Sequence, residues 1–122
     1  MATITISGLV ATTPRHLVTT EGLPITSFRI ATDNDKKDGI TSWFTVTSYR
    51  SLAVNVATSI SKGDRVVVYG EIRIRDWDNG DRSGTSAEIE ATHIGHDLAW
   101  GTSVFVRSVY RNENAEESND EN

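Results

Sequence analysis

The sequence predicts an all-β domain, a small barrel or sandwich that carries a single helix. β-branched residues recur in short runs of alternating apolar and polar residues, and Gly, Asp and Asn separate these runs. Only residues 50–61 repeat their apolar residues every four positions, as a helix does. At 122 residues, the chain is long enough to bury one hydrophobic core and too short for two. One folded domain is therefore expected.

Three predicted strands precede the helical segment: Thr3–Val10, Ile25–Thr32 and Trp43–Tyr49. In each strand, alternate residues are apolar and face the core, and the residues between them face outward. The outward face of the second strand carries Arg29, and that of the third carries Trp43 and Tyr49. Between the first two strands, Pro14 and Thr19–Gly22 are expected to break the chain.

The predicted helix is Arg50–Ser61, in which Leu52, Val56 and Ile60 share one face. Lys62 and Gly63 are a typical C-terminal stop. Ser, Thr, Val and Asn are weak helix formers, so this helix should depend on packing against the sheet.

Two longer strands follow the helix: Arg65–Trp77 and Thr85–Ile94. On the first, the expected core face consists of Val66, Val68, Gly70, Ile72 and Ile74. Its opposite face includes Tyr69, Arg73, Arg75 and Trp77. On the second, Ala87, Ile89 and Ala91 are expected to point inward.

The resulting order of three strands, one helix and two strands is that of the five-stranded OB barrel. The apolar stretch Leu98–Val109 is a candidate for an extra C-terminal strand, and Asp33–Gly39 is predicted to be a polar hairpin loop. The expected organisation is an OB-fold domain over residues 1–111, followed by a short acidic, disordered tail over residues 112–122.

Aromatic and basic side chains share the strand faces that the core does not use: Arg29, Trp43, Tyr49, Tyr69, Arg73, Arg75 and Trp77. Unstacked bases present flat π surfaces to Trp and Tyr, and their phosphates require cations. Aromatics on a small barrel also cap an open end or bury an interface, and alternating arginines also form solvated faces. The two residue types coincide on one face, which favours binding of single-stranded nucleic acid.

The net charge of −5 is unevenly distributed. All 12 Lys and Arg residues and 12 of the 17 acidic residues lie in residues 1–111, so this segment is neutral. Residues 112–122 carry the other five acidic residues. The acidic balance therefore does not argue against a polyanionic partner for the body of the chain.

Other function classes lack their motifs. Without cysteine there is no disulfide and no thiolate zinc site, and the composition fits a reducing cytoplasm. His16, His93 and His96 lack ligand spacing, and neither a Gly-x-Ser-x-Gly elbow nor a phosphate-binding Gly-rich loop occurs. No catalytic residue, metal or cofactor is expected. Neither a signal peptide nor an apolar stretch of about 20 residues, which a membrane helix needs, is visible.

Five collinear segments resemble the bacterial single-stranded DNA-binding protein family: Ile4–Val10, Ser27–Thr32, Trp43–Tyr49, Lys62–Val66 and Glu71–Trp77. The resemblance covers about residues 3–100. It implies binding of single-stranded DNA during replication, recombination or repair, in a homotetramer associated with the cytoplasmic nucleoid. It further implies base stacking on Trp43, Tyr49 and Trp77, and phosphate contacts from Arg73 and Arg75.

The chain departs from the family pattern at four places. Leu17 stands where the family often has a basic residue. Asp76 stands where the family often has a base, Asp33–Gly39 lacks the aromatic often found there, and the acidic tip Glu116–Asn122 lacks a terminal aromatic. The tip therefore gives little reason to expect recruitment of partner proteins. The segment Leu98–Val109 resembles the extra strand of actinobacterial members, which implies a short paralogue of that type.

Two other functions stay open at this point. One is a protein-interaction or primosome accessory module that keeps the fold and binds DNA weakly, since a fold alone does not determine a function. The other is RNA binding, because nothing in the sequence distinguishes a 2′-hydroxyl group.

Overall fold

A computed structural model describes residues 2–32 and 42–108 of the chain. The elements of these residues are β1 (Thr3–Val10), β2 (Arg15–Val18), β3 (Pro24–Thr32), β4 (Ser42–Tyr49), α1 (Arg50–Ser59), β5 (Arg65–Asp78) and β6 (Ser83–His96). The predicted loop Asp33–Gly39 and the predicted tail 112–122 lie outside the described residues. The described residues include no helix long and apolar enough to cross a membrane.

Five strands close into a ring. The sheet runs in the order β1-β5-β6-β4-β3-β2, and β1 also pairs with β3 through Leu9↔Ala31 and Val10↔Ile30. The β1–β3 pairing closes the ring and leaves β2 outside it, along β3. The order of ring strands along the chain is three, then α1, then two, which confirms the predicted OB barrel.

The core fills the ring with residues from the predicted inward faces. Its fully enclosed apolar side chains are Val10, Ile30, Val46, Val66, Val68 and Ile89. Helix α1 covers one end of the barrel with Ala53 and Val56, and Ile60 is buried beside them. Packing therefore holds a helix whose residues have weak intrinsic propensity.

A buried hydroxyl ties the helix to the sheet. Thr26 in β3 is fully buried, and its Oγ1 donates a hydrogen bond of 2.8 Å to the carbonyl oxygen of Ala53 in α1. Ser48 in β4 is also fully buried, and its Oγ donates to the carbonyl oxygen of Thr26 at 3.1 Å. An unpaired buried hydroxyl is costly, so these bonds hold α1 against β3 and β3 against β4.

The chain passes from β4 into α1 without a loop. Arg50, the first helical residue, has φ 63°, the left-handed conformation that non-glycine residues rarely adopt. This single residue turns the chain from an extended to a helical direction, directly after Tyr49.

Three details differ from the sequence-based expectation. Arg15–Val18 forms a strand, β2, in a segment that was not predicted as one; it pairs with β3. Ile74, placed on the core face by its alternation, is 62% exposed because the β5–β6 hairpin continues past the end of the core. Within the predicted extra strand Leu98–Val109, the described residues 98–108 form no strand. A strand requires a backbone partner, and Val104–Val106 are left largely exposed.

The β5–β6 hairpin is the longest paired unit. Its ladder runs from Val66↔His96 to Asp78↔Ser83, with a shift between Tyr69↔His93 and Gly70↔Ala91. Thr92 is the extra residue of this β-bulge, and a bulge bends its strand. A Cβ at Gly70 would overlap the backbone carbonyl of Glu90, so the absence of a side chain at Gly70 allows the two strands to approach beside the bulge.

Gly70→Ala is therefore expected to destabilise the protein by about 1–3 kcal/mol, the usual cost of inserting a methyl group into a packed site. Urea unfolding measures this free energy. Gly95→Ala is the matched control, because a Cβ on that glycine of the same hairpin meets no atom within 4 Å. Equal free energies of unfolding for the two variants would contradict the close approach at Gly70.

Candidate nucleic-acid interface

Four residues form a row across the outer wall of the barrel: Arg29 in β3, Thr45 in β4, Glu88 in β6 and Arg73 in β5. Register pairs Arg29 with Thr45, Thr45 with Glu88, and Glu88 with Arg73. This set is called the central row. Its members point outward because the alternate positions on their strands fill the core.

Trp43, Arg75 and Trp77 lie on one side of the central row. Trp43 precedes Thr45 by two residues, whereas Arg75 and Trp77 follow Arg73 by two and four. Strand β6 is parallel to β4 and antiparallel to β5, so both steps lead toward the β5–β6 turn. At about 3.3 Å per residue, Trp43 is about 7 Å and Trp77 about 13 Å from the row along their strands.

The two tyrosines lie on the opposite side of the central row. Tyr49 follows Thr45 by four residues and Tyr69 precedes Arg73 by four, so each is about 13 Å from the row along its strand. The ring centroid of Tyr69 lies 5.8 Å from that of His93, with the planes tilted by 38°. The structure thus divides the predicted site residues into a hairpin-end group (Trp43, Arg75 and Trp77) and a helix-end group (Tyr49 and Tyr69), with Arg29 and Arg73 of the central row between them.

Trp43 is 47% exposed and carries a cation on its ring. The Cζ atom of Arg29 lies 5.0 Å from the centroid of the indole. This cation–π contact restrains both side chains. It also places a positive charge directly beside a half-exposed aromatic surface, the combination that the sequence predicts for a stacking site.

Trp77 is 43% exposed and lies across a glycine on the neighbouring strand. Gly84 is its cross-strand partner, and a Cβ at Gly84 would come within 2.7 Å of Cζ2 of the indole. Because Gly84 has no side chain, the Trp77 indole can lie directly against its backbone. This position is called the seat of the ring. Sequence reasoning did not identify Gly84, although a glycine inside a strand is a signal that something packs closely against the backbone.

Arg73 and Arg75 are ion-paired in the structure. Arg73 Nη2 lies 3.1 Å from Glu90 Oε1, and Arg75 Nη2 lies 3.3 Å from Glu88 Oε1. Each pair is diagonal, because the residue directly opposite Arg73 is Glu88 and the residue directly opposite Arg75 is Ser86. The sequence analysis did not identify the two glutamates as site residues. Their position on either side of the inward-facing Ile89 indicates that both face outward with the arginines.

The histidines make separate contacts. His16 Nδ1 lies 2.7 Å from Thr26 Oγ1, whereas His96 lies 3.2 Å from an Asp64 carboxylate oxygen through Nε2. In the part of the chain that the structure describes, no group of three or more His, Asp or Glu side chains is arranged to hold a metal ion.

Trp100 lies away from the hairpin-end group. It follows β6 and is 64% exposed, and Cζ of Arg65 lies 4.3 Å from its ring centroid. Arg65 begins β5, at the end of the strand opposite Trp77. The structure thus places Trp100 far along the hairpin from Trp77, at the end where β5 starts and β6 finishes.

Comparisons with known proteins agree on one family. The model of the single-strand binding protein family matches residues 1–97. Single-stranded DNA-binding protein 2 of Tropheryma whipplei is 53% identical over 116 residues, covering 88% of this chain and 76% of that protein. Single-stranded DNA-binding protein 2 of Streptomyces avermitilis is 41% identical over 112 residues, covering 85% and 70%.

Solved structures agree with the fold. The crystal structure of the small single-stranded DNA-binding protein from Streptomyces coelicolor is similar with a TM-score of 0.75 and 40% identity, covering 82% of this chain and 97% of that one. The second single-stranded DNA-binding protein of Mycobacterium smegmatis has a TM-score of 0.68 and 28% identity, covering 86% and 97%.

Gly84→Ala is expected to displace the Trp77 indole, because the new methyl group would occupy its seat. A Trp43→Phe, Trp100→Phe background leaves Trp77 as the sole indole among the three tryptophans of the chain. In that background, acrylamide quenching of Trp emission should increase upon Gly84→Ala. Gly95→Ala, which has open space around it, should leave the quenching constant unchanged. Identical quenching in both variants would show that Gly84 does not seat the ring.

Proposed function

The chain belongs to the single-strand binding protein family, and from this membership we propose that it binds single-stranded DNA without sequence preference. It acts by binding rather than catalysis, protecting exposed strands during replication, recombination or repair. The observation that carries the proposal is the pair of half-exposed indoles, Trp43 and Trp77, on the same side of the central row and accompanied by arginines.

Stacking supplies the sequence tolerance. Every base has a π face, so Trp43 and Trp77 can each receive any base, at about 1–3 kcal/mol per stacked base. Tyr49 and Tyr69 offer further aromatic surface on the opposite side of the row. A strand that reached both groups would cross the central row and pass Arg29 and Arg73, the row's two cations.

Phosphate contacts come from Arg29, Arg73 and Arg75 in this proposal. Arg29 is held beside Trp43, one of the proposed stacking residues, by its cation–π contact with the indole ring. Arg73 and Arg75 exchange a glutamate carboxylate for a phosphate oxygen, or share the guanidinium group between the two anions. Both pairs are substantially exposed to solvent, so each contributes only about 0–1 kcal/mol and the exchange is feasible.

We further propose that the protein is a homotetramer associated with the cytoplasmic nucleoid. The support within the chain is a run of exposed apolar side chains after β6: Leu98, Trp100, Val104, Phe105 and Val106. Several exposed apolar side chains within one short segment favour contact with another protein surface. Residues 1–111 would form the binding domain of each subunit, followed by an acidic tail.

Titration with oligo-dT at low salt tests the function directly. Quenching of Trp emission is expected, because bases stack on indoles that contribute to it. Trp43→Ala and Trp77→Ala should each weaken binding by about 1–3 kcal/mol. An unchanged emission spectrum together with no mobility shift for the wild-type chain would rule the function out.

Trp100→Ala provides the control, because this side chain lies away from the hairpin-end group that contains Trp43 and Trp77. Its expected effect is a lower molar mass in sedimentation equilibrium, with stacking on Trp43 and Trp77 retained. Equal losses of affinity in all three variants, with the same mass as the wild type, would contradict this division between binding and assembly.

A further inference from the structure

We propose that Glu88 and Glu90 are built-in competitors of DNA phosphate, which lower the electrostatic part of binding and so favour single strands over duplex. The inference rests on the proposed function and identifies two specificity-determining residues within its site. Neither glutamate is needed for stacking, and neither supplies a positive charge. Their role follows from where the β5–β6 register places them.

The ladder holds both glutamates beside the arginines. Backbone pairing is continuous from Glu71↔Glu90 to Asp78↔Ser83, so Arg73, Arg75, Glu88 and Glu90 all lie within one uninterrupted register. The carboxylate oxygens of Glu90 and Glu88 lie 3.1 and 3.3 Å from the guanidinium nitrogens of Arg73 and Arg75. The close approach at Gly70 fixes the backbone of Glu90 at one end of this segment.

With Arg29 of the central row included, the three arginines of this face are matched by three glutamates. Glu71, Glu88 and Glu90 face the same side as Arg73 and Arg75, and Glu71 is directly opposite Glu90. A phosphate that reaches either arginine competes with a carboxylate already paired with the guanidinium group, and that carboxylate remains beside it as a like charge. The phosphate therefore gains only the difference between two similar anionic partners.

Competition between the glutamates and phosphate affects the binding of duplex and of single-stranded DNA differently. Non-specific duplex binding depends almost entirely on phosphate neutralisation, and duplex DNA carries a denser charge, with a salt slope of about −0.9 per contact against about −0.7 for a single strand. Paired bases cannot stack on Trp43 or Trp77, whereas each base of a single strand gains about 5- to 150-fold from doing so. Lowering the charge term thus removes most of the duplex affinity while leaving the stacking term intact.

The residues can be tested by removing their charge while the size and shape of the side chain are kept. Glu88→Gln and Glu90→Gln keep the size of the side chain and free Arg75 and Arg73 respectively. Glu71→Gln is the matched control for Glu90→Gln, because it removes the same charge from the directly opposite position. No hydrogen bond or ion pair joins the Glu71 side chain to an arginine in the described residues, so this change frees none.

The measurement is a salt series of titrations with oligo-dT and with a duplex of equal length, on the complete chain. Glu88→Gln and Glu90→Gln should each tighten oligo-dT binding by roughly two- to fivefold, matching the strength of an exposed ion pair. The slope of log K against log salt for oligo-dT should steepen by up to about 0.7 for each freed arginine. Duplex affinity should rise by a larger factor, so that the preference for oligo-dT falls.

Equal effects of Glu71→Gln and Glu90→Gln would overturn the inference, because they would show a general charge effect instead of release of Arg73. Unchanged affinities and slopes in the Gln variants would also overturn it. In both cases the wild-type chain still binds oligo-dT, so the proposed function stands. A wild-type chain that does not bind oligo-dT overturns the function, and the inference with it.

Discussion

The register of β6 between β4 and β5 is the constraint on which the rest of the structure depends. Strand β6 pairs in parallel with β4 and antiparallel with β5, and so joins the two halves of the ring. Ile89 lies opposite Val46 on one side and Ile72 on the other, while Glu88 lies opposite Thr45 and Arg73. A slip of one residue would bury glutamates and expose Ile89, which the core does not permit.

The same alternation that builds the core therefore builds the candidate site. Each outward residue of the central row sits between inward residues that fill the barrel, so no site residue can change face alone. The buried Thr26 hydroxyl extends this control to the helix end, where it fixes α1 and with it the position of Tyr49. Site geometry is thus a consequence of packing, as expected for a binding surface carried on strands instead of loops.

A period of two residues explains what could be predicted from the sequence and what could not. It placed Arg29, Trp43, Arg73 and Trp77 on outward faces, because the face of a residue follows from its position in its own strand. The ion pairs with Glu88 and Glu90 depend on the register between strands, and the seat of Trp77 depends on Gly84 being opposite it. Register is a property of two segments together, which alternation within either one does not determine.

Alternation within one strand also does not show where the core ends along the β5–β6 hairpin. Ile74 alternates correctly, but it is exposed because the core ends before the hairpin does. The part of the hairpin beyond the core carries Arg75 and Trp77. There, the position of the indole depends on Gly84 and not on core residues. Arg73 and Arg75 are already paired with glutamates. In the proposed function, the free energy of binding therefore comes mainly from the aromatic surfaces. Under the proposed function, a neutral, ion-paired surface around these indoles would select for unpaired bases more than for phosphate charge.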